Sequence, residues 1–150
     1  MTAELCPECG ANLIGGLSCQ EIFDKFLVLE FTDPGYGEVH FLTVACFMIQ
    51  HGRYSDEGLN WIEQQLRSYF EEGLSSEQIR KRAAKGMGQD IRSWKVTRQP
   101  EARPLPKIRW SITIPDVDSI YQNAVDYQNA IKSWARATLE EMKPQVKIEL

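Results

Sequence analysis

Histidine is nearly absent from this chain: there are two in 150 residues, His40 and His51. That scarcity excludes a metal centre built from several histidines. Also missing are an H-E-x-x-H helix, a phosphate-binding G-x-x-x-x-G-K-[ST] loop and a Ser/His/Asp set. The GMG at 86–88 is too short for a dinucleotide fingerprint. No window approaches 18 consecutive apolar residues, so no membrane span is expected. The start, MTAELCPEC, has neither a basic opening nor an apolar core, so no secretory signal is expected. A cytoplasmic, reducing setting follows, in which thiols stay reduced or bind metal. Internal repeats and low-complexity tracts are missing too.

What is present reads as one globular domain over residues 1–150. The length suits a single core, and 43% apolar with 25% charged residues is ordinary for such a domain. The net charge of −4 gives no reason to expect nucleic acid as a partner. Its distribution is uneven. Residues 67–109 carry eleven Lys/Arg against five Asp/Glu, and the remainder carries six against sixteen. A basic middle between acidic flanks either neutralises itself internally or offers a contact face. On the second reading that face is the basic 78–109 segment, with Arg80, Lys81, Arg82, Lys85, Arg92 and Lys95 in it, and nucleic acid is its alternative partner.

The periodicity predicts an all-α bundle of four to five helices. Ser18 and Glu21 have capping-box spacing and open a helix through Phe31, burying Ile22, Phe23, Phe26, Leu27 and Val28. TDPGYG at 32–37 breaks it. The run from Glu38 to His51 is apolar on nearly every side, as in a central helix covered by its neighbours. Leu59, Ile62, Leu66, Tyr69 and Phe70 form the stripe of an amphipathic helix, with Gly73 at its end. Ser75 and Gln78 repeat the capping-box spacing before a short basic helix. Residues 86–115 read as a long irregular excursion, with IRWSITI inside it as a possible strand. From Pro115 one long helix is expected, with Val117, Ile120, Ala124, Tyr127, Ile131, Trp134, Thr138 and Met142 on its buried face.

The most specific local feature is Cys6-Pro7-Glu8-Cys9-Gly10. Two thiolates three positions apart bend around one tetrahedral ion, and Gly10 tolerates the positive φ that such a turn needs. A redox pair is the rival, but it places its first cysteine at a helix start after a strand, and no strand precedes Cys6. Cys19 is the expected third ligand. The fourth comes from His40, at the start of the central helix, with His51 and Cys46 as alternatives and an acid or water behind them. The two histidines lie about 16 Å apart along a continuous helix, so they do not share one ion. A closed Cys3His set with Zn2+ stabilises a fold, whereas three protein ligands leave a water that the ion can activate. In that second case Glu8, Glu21 or Glu38 is the available base, and the chain is a metal-dependent hydrolase or transferase.

Four tryptophans are many for this length. Trp134 lies on the stripe of the last helix and belongs to the core. Trp94 and Trp110 sit among Arg92, Lys95, Arg98, Arg103, Lys107 and Arg109, a mixture that binds single strands of nucleic acid or pins a loop to its domain. Pinning is the better reading, since RNA-binding motifs are missing.

The segments CPECG, GLSCQEIFDKFLVLEF and YGEVHFLTVACFMIQH together resemble DUF5946, a family of uncharacterised bacterial proteins. The stretch IPDVDSIYQNAVDYQNAIKSWARATLEEM is similar to that family's final helix, with Asp116, Val117, Trp134, Ala135 and Arg136 in the expected arrangement. The resemblance implies a shared scaffold in which Cys6, Cys9, Cys19, His40 and His51 match the family pattern, and it implies no activity. Where the pattern has proline after Q-H this chain has Gly52, which implies a looser helix stop. A fainter similarity to the metal-dependent helical bundles of thiol transferases and hydrolases falters because those use three histidines. The combined expectation is a zinc-stabilised helical domain acting in interaction or regulation, with a protein partner.

Overall fold

The computed structural model describes residues 5–13, 16–75, 77–79, 81, 97–103, 105 and 107–148, the last six by backbone alone. Among these residues the fold is all-α, with no strand beyond two isolated bridges, Leu5 to Asn12 and Tyr54 to Thr97. The helices are α1 (Cys19–Thr32), α2 (Pro34–Gly37), α3 (His40–Gln50), α4 (Asp56–Glu71), α5 (Ile114–Asp118) and α6 (Ala124–Ile148). None is long and apolar enough to cross a membrane.

Local sequence explains most boundaries. Ser18 and Glu21 close both halves of the capping box that starts α1, at 3.1 and 2.9 Å. The break at 32–37 carries one helical turn of its own, with Asp33 accepting from the Gly35 amide and Pro34 at the first position. Gly37 is required there, because a Cβ would lie 2.7 Å from the Glu30 carbonyl. Ser75 and Gln78 form the second expected capping box, at 3.1 and 2.8 Å. The short basic helix it opens lies mostly outside the described residues.

Helices α3 and α6 together form the centre of the packing. Helix α3 lies against α6, α1 and α4, while α6 also meets α2, α4 and α5. One buried cluster runs through them, including Phe26 of α1, Leu42 and Phe47 of α3, Leu66 of α4, and Ile131 and Trp134 of α6. Each side chain taken fully out of water contributes about 1.5–3 kcal/mol.

Three expectations need correction. The last helix does not run unbroken from Pro115. Thr113 and Asp116 make a capping box that starts the short α5, and Asn123 caps a fresh start by accepting from the Asp126 amide at 2.9 Å. Ile120 falls in the gap and is exposed rather than core. The possible strand IRWSITI pairs with no other segment among the described residues. Its polar backbone is met by side chains instead: Gln50 Nε2 donates to the Ile112 carbonyl at 2.9 Å, and the Ser111 amide donates to Glu141 at 3.0 Å. On α1, Val28 faces solvent and Glu30 is buried in its place.

Candidate metal centre

The N-terminal segment is a tight knuckle. The Gly10 amide donates to the Cys6 carbonyl and the Cys6 amide to the Ala11 carbonyl, each at 2.8 Å. Gly10 takes φ +78°, the left-handed value that the turn requires. The fold of the chain back on itself turns Cys6 and Cys9 inward, and both are buried.

Against the knuckle lie the N-terminus of α1 and the C-terminus of α3. The first brings Cys19 and the second His51. Donor atoms of Cys6, Cys9, Cys19 and His51 all lie within 4.8 Å of one another, and all four residues are buried. Cys9 Sγ and Cys19 Sγ are 3.7 Å apart. Sulfur and nitrogen donors around a tetrahedral zinc ion sit about 3.3–3.8 Å from each other, given bonds of about 2.0–2.3 Å. The set is therefore of a size that can hold a metal ion.

His51 is prepared for that role. Its Nδ1 faces the Phe47 carbonyl at 2.8 Å, which fixes the ring and places the proton there. Its Nε2 is buried with no hydrogen-bond partner among the described residues, a lone pair withheld from water. The imidazole stacks on Phe47 at 4.2 Å, and Phe47 stacks in turn on Phe23 at 4.0 Å. Outside this column, Arg53 makes a forked contact with Glu8 at 3.0 and 3.2 Å, and its guanidinium lies 5.6 Å from the Phe47 ring centre.

The thiols are not equivalent. The contact with Cys19 holds the Cys9 thiol well below the ordinary thiol range, against the cost of burial, with the Ala11 amide adding to the effect. Cys19 is pushed up, first by the same contact with Cys9 and then by burial. Two close, buried sulfurs thus carry one negative charge more readily than two.

The structure brings together three of the expected ligands and replaces the fourth. His51, not His40, joins the three cysteines. His40 lies at the other end of α3, where its Nδ1 faces Glu30 Oε1 at 2.7 Å. Glu30 is a fully buried carboxylate, which also accepts from the Thr43 hydroxyl at 2.5 Å and from Tyr127. Three donors from two helices satisfy an acid that burial alone would penalise. No sequence motif announces this network. Only its members' polarity on otherwise apolar faces was visible. Cys46 also lies outside this cluster: it is fully buried beside Thr138, and burial pushes its thiol up.

Among the acids considered as a base, Glu8 is held by Arg53 and Glu21 by the Ser18 capping box. Of the expected contact face, Lys81 is exposed and pairs with Glu77 at 3.6 Å. Arg80, Arg82, Lys85, Arg92 and Lys95 lie outside the described residues, as does Trp94. Trp110 packs half-buried against the core and Trp134 is wholly inside it. Arg67 and Arg98, also from the basic middle, pair with Glu63 at 2.5 Å and Asp56 at 3.0 Å.

The model of a family of unknown function, DUF5946, matches residues 4–143. No curated protein and no solved structure gives a significant match.

Proposed function

Because the chain belongs to the DUF5946 family, whose membership carries no activity, we propose a function from its own residues: a zinc-stabilised helical module that acts by holding a partner. The observation that carries the reading is the buried, unpartnered Nε2 of His51 among three buried thiols. Cysteine sulfur and imidazole nitrogen in the ratio three to one select zinc over hard cations such as magnesium or calcium. Four protein donors also leave no position for the water that a hydrolase needs, which speaks against the catalytic reading. Such a centre works as a rivet, here fixing an N-terminal knuckle to the junction of α1 and α3.

The partner surface belongs to the basic middle of the chain. Arg80, Lys81, Arg82, Lys85, Arg92 and Lys95 are its proposed members, and the exposure of Lys81, Arg103 and Arg109 supports it. The partner is an acidic protein face, met in a reducing cytoplasmic compartment.

Metal analysis with X-ray absorption, on untagged protein purified without chelator, tests the centre. One zinc per chain with three sulfurs and one nitrogen is the expected result. An oxygen in place of the nitrogen would restore the hydrolase, and protein without metal would return Cys6 and Cys9 to redox chemistry.

A further inference from the structure

Among the described residues, one irregular segment reaches the surroundings of the candidate metal centre from two sides. Pro7 lies between two candidate ligands, and its carbonyl accepts from Lys107 Nζ. On the far side, the residues that follow His51 are paired with Thr97 and Arg98. Tyr54 and Thr97 form an antiparallel bridge, and the Arg98 amide donates to the Arg53 carbonyl at 2.8 Å.

The Arg98 side chain then closes a loop on both strands of this contact. Its Nη1 donates to the Tyr54 carbonyl at 3.3 Å and to Asp56 at 3.0 Å. Its Nε and Nη2 donate to the Arg103 carbonyl at 3.1 and 2.7 Å. The guanidinium side chain is only 11% exposed, which is unusual for an arginine on irregular backbone. Further along, Gln50, the residue before His51, holds the Ile112 carbonyl at 2.9 Å. Residues on either side of the His51 ligand therefore grip the two ends of the same irregular segment.

We propose that residues 97–103 and 107–113 form a strap whose closure is coupled to metal occupancy, with Arg98 as the positioning residue that transmits the coupling. The inference rests on the metal centre proposed above. Irregular backbone has no ladder of its own, so its order comes from its anchors. One of those anchors, Pro7, stands between two candidate ligands, and the 53–56 segment is tied to the same knuckle through Arg53 and Glu8. Without the cation the knuckle is left to weaker contacts, Glu8 with Arg53 and Cys9 with Cys19 among them, and it loosens from α3. The Lys107 and Arg53 contacts then lose their geometry and the strap opens. The coupling is reciprocal, so an opened strap weakens metal binding by the same factor that metal loss opens the strap. Exposed Arg103 and Arg109 ride on this segment, and metal occupancy thus sets whether they stand in a fixed array.

Hydrogen exchange read by mass spectrometry on the full chain, zinc-loaded and then chelated, tests this. Peptides from 97–103 and 107–113 should exchange about 5-fold faster or more without zinc, while peptides from α4 and α6 hold their protection. In the zinc-loaded protein, Arg98→Ala should open the same peptides and weaken zinc in competition with a chromophoric chelator by about 5-fold or more. Arg98→Lys, which keeps the charge but loses the fork, should recover part of both. Zinc that binds and leaves the strap's exchange unchanged would overturn the proposal, as would equal loss of protection in α4 and α6. Zinc content is measured on the same samples, and a chain that binds none would instead sink the metal centre itself.

Discussion

His40 and His51 stand on one helix, and the group facing each Nδ1 decides what the ring can do. At His51 that group is a backbone carbonyl, which takes the Nδ1 proton and leaves Nε2 a free lone pair in a buried pocket. At His40 it is the buried carboxylate of Glu30, and the imidazole serves the acid rather than a metal. His51→Gln should therefore abolish tight zinc binding, with a loss beyond the ~10–100-fold that removing a supporting partner costs. His40→Gln should keep one zinc per chain. It should lower stability toward the smaller end of the ~1.5–3 kcal/mol that a hydrogen bond to a charged group contributes, since the ring is partly open to water. Zinc retained after dialysis, set beside a thermal melt for each variant, checks both halves. Loss of zinc from the His40 variant with the His51 variant still loaded would reverse the assignment. The residue types at the centre were legible, because C-P-x-C-G and a third cysteine name their chemistry. The choice between two histidines was not, because each looks the same until its neighbour is known.

The missing information lies at the scale of the element. Helices α1 and α3 are joined by a short turn and return antiparallel, so the start of one lies beside the end of the other. Cys19 meets His51. Four residues on in α1 and four back in α3, Phe23 meets Phe47; eleven on and eleven back, Glu30 meets His40. Both helices, their capping box and the break between them were legible from periodicity and turn residues. Following the hairpin through would have favoured His51, whereas attention to the distance from the Gly-Tyr-Gly turn favoured His40. The stop at the end of α3 is likewise firmer than the replacement of proline by glycine suggested. Gly52 takes φ +64°, the Arg53 amide reaches back to the Met48 carbonyl at 2.9 Å, and the Gly52 amide bonds Ile49 at 3.2 Å. This motif sets the direction in which the chain leaves His51. Gly52→Ala should cost about 1–2 kcal/mol for an L-residue forced left-handed. In a chain of this size that lowers the melting temperature by about 2–8 °C. A melt that does not move would mean the turn is not held in the form seen here.

For the whole molecule the question is how much of the fold depends on the ion. Classical zinc fingers unfold without metal because they have almost no core besides it. Here the buried set extends far from the cysteines, through Phe26, Leu42, Leu66, Ile131 and Trp134 on four different helices. That core follows the apolar stripes legible in the sequence, and it requires no ligand geometry. The break between α5 and α6 was hidden because Ile120 and Ala124 continue the apolar spacing across it, while Asn123 supplies a cap that periodicity does not weigh. A metal bound only by the folded state still adds stability, about 4 kcal/mol when its free concentration stands a thousandfold above the dissociation constant. Chelation under those conditions should lower the melting temperature by about 8–16 °C while leaving far-ultraviolet helical dichroism nearly intact at 25 °C. Acidification should have the same consequence by another route, since thiolate ligands must shed protons to bind and take them back as pH falls. Circular dichroism and a melt of the zinc-loaded and chelated chain decide it. Helical signal lost together with the metal would make the ion a condition of folding, and an unchanged melting temperature would make the cluster a bystander to stability.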